Sequence, residues 1–182
     1  MSCAVSTAYS LNCKNSVGGI KSLYIFSNQI TGVTYTGSGD TEKVSDIAGS
    51  GNLVEFQLYR FGSNFQEAMA ADPAQGTVVY TQTINAMFRE YNAQLRNQFS
   101  LLAKNGHVQA IVRTNTDDYY AFGLDLDGGD ATAITTHSGT ALADRFGSDV
   151  VLTFIQPNPA SFVAVANNDL AAVLTGISLV SA

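Results

Sequence analysis

The fold is decided by the stretch from Thr77 to Phe122, which begins with TVVYTQTINAMF (Thr77–Phe88). In this first segment, apolar side chains fall on one side of a two-residue period and Gln82 interrupts that side. This pattern predicts a long, half-buried β-strand. The residues on the apolar side are Val78, Tyr80, Ile84, Ala86 and Phe88.

The period changes in the following segment, REYNAQLRNQFSLLAKNG (89–106). Four apolar residues now recur at helical spacing, and Gly106 stands where a C-cap glycine is expected. The four residues are Leu95, Phe99, Leu102 and Ala103. The segment therefore predicts one amphipathic helix.

Alternation returns in HVQAIVRT (107–114), with Val108, Ala110 and Val112 on one side, and YYAF follows the polar turn TNTDD. One helix is thus carried between strands. The economical arrangement is a mainly β shell with one α-helix that lies on it or plugs its end.

Further strands are predicted on both sides of this stretch. They are IKSLYIF (20–26), ITGVTYT (30–36), LVEFQLYRF (53–61), DVVLTFI (149–155) and GISLV (176–180). In the third of these, alternation predicts one buried and one polar face. The final strand either closes the sheet of its own subunit or adds to the edge of another. Asn168 or Asp169 could N-cap the short helix LAAVL just before it.

Two segments read as loops. GSGDTEK (37–43) is polar, and residues 62–76 show no strand period. The second is long for a loop in a compact domain. It could reach a neighbouring subunit, or lie over the sheet as a helical turn around residues 67–71.

Composition predicts one domain of 182 residues, with an N-terminal arm of about 1–17 and a C-terminal extension of about 164–182. Only 13% of residues are charged, which suits surfaces that meet other protein or simply a turn-rich β domain. The net charge of −6 disfavours a nucleic-acid groove. No apolar run is long enough for a membrane span, and the N-terminus lacks the pattern of a secretory signal.

Few residues suggest a chemical site. Cys3 and Cys13 have no metal-like spacing, and a disulfide between them stays open; His107 and His137 form no zinc pattern with them. Asp125, Asp127 and Asp130 surround Gly128-Gly129, a spacing that calcium could use. The run lacks the closing glutamate of an EF-hand, so a β-turn is the preferred interpretation.

No nucleophile elbow, HExxH motif or P-loop is present in the sequence, and we expect no enzyme. We therefore assign no catalytic, cofactor-binding or metal-binding residue.

The order of elements resembles the inner tail-tube family of tailed bacteriophages and contractile injection systems. The resemblance rests on GTVVYTQTINAMF (76–88), LRNQFSLLAKNGHVQAIVRTNTDDYYAFGLDL (95–126) and THSGTALADRFGSDVVLTF (136–154). CKNSVGGIKSLYIF (13–26) also looks like the start of phage virion proteins. The similarity covers roughly residues 13–163.

The resemblance implies a single tail-tube-like β domain, a mainly β fold that forms an antiparallel β-sandwich or barrel with one flanking α-helix. It also implies a structural role in the virion, after synthesis in the cytoplasm of the host bacterium. Subunits would form a hexameric ring, and stacked rings would form the tube that delivers genome DNA without sequence-specific binding. Other tail proteins (sheath, terminator, baseplate or tape-measure protein) would be partners. Terminators and baseplate hub rings share this fold, so they stay open as alternatives.

Two segments are candidates for the loop that would cross to the next ring, residues 37–47 and 62–76. A different class of function also stays open: a calcium-assisted β-sandwich binding module that uses Asp125, Asp127 and Asp130.

Overall fold

The computed structural model describes residues 17–59 and 61–181, and these fold as a mainly β structure with one α-helix. The strands are β1 (Ile20–Phe26), β2 (Gly32–Thr36), β3 (Lys43–Gln57), β4 (Asn64–Asp72), β5 (Thr77–Phe88), β6 (Ala110–Thr114), β7 (Tyr119–Phe122), β8 (Gly129–His137), β9 (Gly147–Gln156), β10 (Ser161–Phe162) and β11 (Leu174–Val180). The helix is α1 (Ala93–Leu102), and Gly39–Thr41 and Leu170–Val173 are single 3-10 turns.

The strands form two sheets. The larger sheet has seven strands in the order β10-β7-β6-β1-β3-β11, with β2 paired to β3, and it curls. The smaller sheet has the order β4-β5-β9-β8, and every neighbouring pair in it is antiparallel. Only β11 departs from antiparallel pairing in the larger sheet, since it runs parallel to β3.

Two apolar clusters form the core, one on each face of the central strands of the larger sheet. The first lies between the two sheets and includes Leu23, Ile84, Phe122 and Leu152. The second lies inside the curl of the larger sheet and includes Tyr24. Because successive side chains of a strand point to opposite faces, β1 contributes to both clusters and reads as a nearly continuous apolar run.

Several predicted elements are confirmed. The strand expected at Thr77–Phe88 has those bounds as β5, and Ile20–Phe26 has those bounds as β1. The helix forms, with Phe99 buried and Leu95 packed against the first cluster. Asp169 caps the turn Leu170–Val173 by accepting a hydrogen bond from the Ala171 amide.

The prediction that residues 62–76 form a loop or a helical turn is wrong. They carry strand β4, which pairs residue for residue with β5 from Asn64↔Asn85 to Asp72↔Thr77. The sequence of this strand, NFQEAMAAD, has no strand period. Most of its side chains are exposed, and a strand with no buried face does not need to alternate apolar and polar residues.

The third strand was predicted too short and too late. Strand β3 starts at Lys43, ten residues before the predicted start at Leu53, and it ends at Gln57. Its middle contains Gly49 and Gly51, which interrupt the alternation of apolar and polar side chains. Gly51 has φ +92°, a conformation that glycine adopts without strain.

Gly106 is not the C-cap of α1. The helix ends at Leu102, and its C-cap residue is Ala103 in a right-handed conformation. Gly106 does not have a positive φ, so it does not adopt the left-handed C-cap conformation that the sequence predicts.

The sequence predicts an arm at one end of the chain and an extension at the other. The predicted arm, with Cys3 and Cys13, lies almost wholly outside the described residues. The predicted C-terminal extension contains Leu170, Val173 and Ile177, all buried in the second cluster. Strand β11 pairs with β3 of its own chain, which is the first of the two arrangements expected for it.

Candidate assembly surface

The outer face of the four-stranded sheet carries mostly small polar side chains. The register places Gln66, Thr83, Thr153 and Asp130 in one row across all four strands. The next row is Asn64, Asn85, Val151 and Ala133. Hydroxyl and amide groups therefore dominate this face, while the opposite face contributes Ile84 and its neighbours to the core.

Hydrogen bonds across the strands hold these polar side chains in place. The Asn85 amide nitrogen donates to Asn64 Oδ1 at 2.8 Å. The hydroxyl oxygens of Thr132 and Thr153 are 3.1 Å apart. Cross-strand pairs of this kind stabilise antiparallel sheets, so the face is an ordered surface.

The four strands contribute no Lys or Arg to this surface, and His137 is their one histidine. β4, β5, β8 and β9 contain neither Lys nor Arg, whereas Asp72, Asp130 and Asp149 lie on the outer face. A surface of this composition does not hold a polyanion, because phosphate binding depends on clustered Lys and Arg.

One of these carboxylates is paired at the end of the sheet. Arg145, in the loop before β9, donates to Asp149 Oδ1 at 2.7 Å, and His137 Nε2 lies 3.1 Å from Asp149 Oδ2. The hydrogen bond from Arg145 is the main reason that the pKa of Asp149 is lowered. The positive charge of Arg145 is therefore paired with a carboxylate of the same subunit.

Both edges of this sheet are open in the described part of the chain. β4 pairs with β5 alone, and β8 pairs with β9, apart from one bridge between Gly129 and Val108. An open edge presents a row of unpaired backbone N–H and C=O groups to another strand.

The tip of the β4–β5 hairpin projects beyond the rest of the sheet. Pairing of β5 with β9 begins only at Tyr80↔Gln156. The residues of β5 before Tyr80 therefore pair with β4 alone, and this part of the hairpin is a two-stranded ribbon. Met69 and Val78 on this ribbon are 59% and 47% exposed. Sequence reasoning missed this surface because the face becomes recognisable only when β4 and β8 are paired to their neighbours.

The residues considered for calcium lie in a separate place. Asp125, Asp127 and Asp130 line an open cleft of about 740 Å³ together with Gln29 and other residues. Within residues 17–59 and 61–181, no three His, Cys, Asp or Glu side chains are grouped closely enough to hold a metal ion.

Two of the three carboxylates accept hydrogen bonds from side chains elsewhere in the fold. Asp125 Oδ2 accepts a hydrogen bond from the Asn158 amide at 3.1 Å, and Asp127 Oδ1 accepts one from Gln29 at 3.4 Å. His107 Nδ1 lies 2.9 Å from the backbone oxygen of Asp127. Gly128 has φ +88°, and its amide donates to the backbone oxygen of Leu126, so the chain makes a tight three-residue bend here where the sequence predicted a β-turn.

No helix in the described residues is long and apolar enough to cross a membrane. No protein-family model, curated protein or solved structure matches this chain.

Proposed function

We propose that this protein is a structural subunit that joins copies of itself edge to edge into a ring, and that such rings stack into a tube of the phage-tail type. The observation that carries the proposal is the four-stranded sheet with an open strand at each side. Ring subunits would be joined through these two edges.

Strand direction makes the two edges compatible. Neighbouring strands alternate in direction across β4-β5-β9-β8, so β8 runs antiparallel to β4. When a second copy keeps the same orientation, its β4 can therefore lie antiparallel to β8 of the first. Each subunit then uses two different edges, and such a heterologous contact closes into a ring when the rotation between copies allows it.

The outer face of the sheet suits the inner wall of such a ring. It offers hydroxyls, amides and acidic groups but no Lys or Arg from its strands. DNA can slide along such a wall, because no cluster of cations holds its phosphates. The function that follows is passage of genome DNA through a phage tail, with the subunit located in the virion and in contact with other tail proteins.

The projecting β4–β5 ribbon is the segment we assign to contact between rings. Of the two segments considered from the sequence, residues 62–76 form this ribbon, and residues 43–47 of the other belong to β3 inside the subunit. The exposed Met69 and Val78 give the ribbon apolar contact area.

Electron microscopy of the purified protein in negative stain, at high concentration and with or without a chelator, tests the proposal. We expect rings or tubes with a central hole that persist in the chelator. Dispersed particles under both conditions would contradict self-assembly. Particles whose state depends on calcium would favour the binding module instead.

Two proline variants test the open edge of β4 directly. Ala68 and Met69 are adjacent and exposed, so their N–H groups point to opposite sides of the strand. Proline removes the N–H of its own residue. One variant therefore loses a bond to β5, and the other loses a donor only from the open edge.

The variant that keeps the melting temperature of the unmodified protein is the one altered at the open edge. We expect that variant to stay dispersed. Normal rings from both Ala68→Pro and Met69→Pro would show that β4 does not join the copies. Thr81→Lys is the matched control, since Thr81 faces Ala68 but lies one strand inside the sheet, and this variant should still form rings.

A further inference from the structure

The side-chain amide of Gln82 is buried beneath the edge strand β4, and only its nitrogen has hydrogen-bond partners. Gln82 lies on the inner side of β5 and is 1% exposed. Its nitrogen donates to Glu67 Oε2 at 3.0 Å and to the backbone oxygen of Asn158 at 3.2 Å. Both partners are acceptors, so the amide cannot be turned around without placing oxygen against oxygen.

The orientation of the amide leaves Gln82 Oε1 without a donor. In the part of the chain that the structure describes, it is the one buried side-chain nitrogen or oxygen that makes no hydrogen bond. Gln156 on the neighbouring strand shows the contrast. Its Oε1 accepts from the amides of Asp125 and Leu126, and its nitrogen donates to Gly128.

A small cavity of about 10 Å³ adjoins Gln82. Its lining includes Asp125, Gln156, Asn158 and Ser161, so polar groups surround it on several sides. A volume of this size is about that of one water-sized probe, and buried waters in proteins make roughly three hydrogen bonds to such groups.

We propose that this cavity is a binding site for a single water molecule that donates a hydrogen bond to Gln82 Oε1. A buried acceptor without a donor is costly, and a water is the donor that fits the volume. A metal cation is a poorer occupant, because no three His, Cys, Asp or Glu side chains in the described residues are grouped closely enough to hold one.

The bound water completes a polar node that holds β4 in place. Glu67, on β4, accepts from Gln82 and also from the backbone amide of Ala160 at 2.7 Å. The node thereby ties the edge strand to the loop after β9. Its existence does not depend on the proposed function, although it positions one of the two open edges.

High-resolution crystal structures of three proteins test the site: the unmodified chain, Gln82→Met and Thr83→Val. Met keeps a similar shape but has no amide. Thr83 lies on the outer face next to Gln82 in the strand and serves as the matched control. We expect one ordered water within hydrogen-bond distance of Gln82 Oε1 in the unmodified chain and in Thr83→Val, and none in Gln82→Met.

Three results would overturn the proposal. The first is an unmodified structure with no density in the cavity. The second is a Gln82 oxygen that meets a protein donor. The third is an anomalous peak at the site after potassium is exchanged for rubidium, which would identify a cation.

Hydrogen exchange tests the role of the node in solution. Loss of the Gln82 amide should raise, by roughly tenfold, the exchange rate of the backbone amides in residues 64–72 that are bonded to β5, because local opening becomes easier. Thr83→Val should leave those rates near their original values. Unchanged exchange in Gln82→Met would show that the node does not hold β4.

Discussion

Replacing Phe99 by alanine should weaken the whole fold, because this side chain is the main anchor of α1. Phe99 is 5% exposed and is the only buried residue among the ten of the helix. Its ring contacts Phe88 edge-on, with ring centroids 5.1 Å apart. Removing a buried phenylalanine costs about 3–5 kcal/mol through lost burial and the cavity that remains.

The expected loss is large compared with the total free energy of unfolding of about 5–15 kcal/mol for a domain. At this chain length it corresponds to a fall in melting temperature of roughly 6–20 °C. Calorimetry or thermal unfolding followed by circular dichroism measures it. Leu101→Ala is the control, since Leu101 lies on the same helix and is 63% exposed.

The control should change the free energy of unfolding by no more than about 0.5 kcal/mol, as expected for an exposed site. The reasoning fails if Phe99→Ala costs less than about 1 kcal/mol, or if both variants lose the same amount. Either result would mean that α1 is not held on the sheets by Phe99.

Two further predictions concern one buried phenol and one turn. Burial and the adjacent Glu55 carboxylate raise the pKa of Tyr24 to about 12, so Tyr24 stabilises the folded state fully below pH 10 and loses that contribution as pH rises through about 12. Glu55→Gln should lower this pKa in an NMR titration of labelled tyrosine, and an unchanged value would show that the Glu55 carboxylate does not contribute to it. Alanine at Gly128 should cost more than about 1 kcal/mol, because φ is +88° and the new Cβ would lie 2.5 Å from the Val108 oxygen. Gly106→Ala has its nearest neighbour at 3.7 Å and should change little in urea unfolding, and equal effects of the two changes would contradict the assignment of the turn.

Elements with strong periodicity could be predicted from the sequence with accurate bounds. β5 buries Ile84, Ala86 and Phe88, β1 buries most of its apolar side chains, and the predicted limits of both strands agree with the structure. α1 was predicted from the spacing of Leu95, Phe99 and Leu102, although its C-terminal end was not. Burial against a core imposes these patterns on the sequence, which is why they can be read without a structure.

β4 and the first half of β3 could not be predicted because little in their own sequences requires a strand. β4 is exposed along most of its length, and its conformation comes from backbone hydrogen bonds to β5. β3 contains two glycines, and its strand conformation there depends on pairing with β2 and β11. Strand pairing between distant segments is a property of the folded chain and leaves a weak local signal.

The candidate assembly surface could likewise be predicted only in part. The sequence alone shows that these four strands carry many small polar side chains, a few carboxylates and no Lys or Arg. The folded structure is needed to show that Gln66, Thr83, Thr153 and Asp130 share one row, and that β4 and β8 are left open at opposite sides of one sheet. The physical reason is that side-chain chemistry belongs to each residue, whereas register and strand order depend on which distant segments exchange backbone hydrogen bonds.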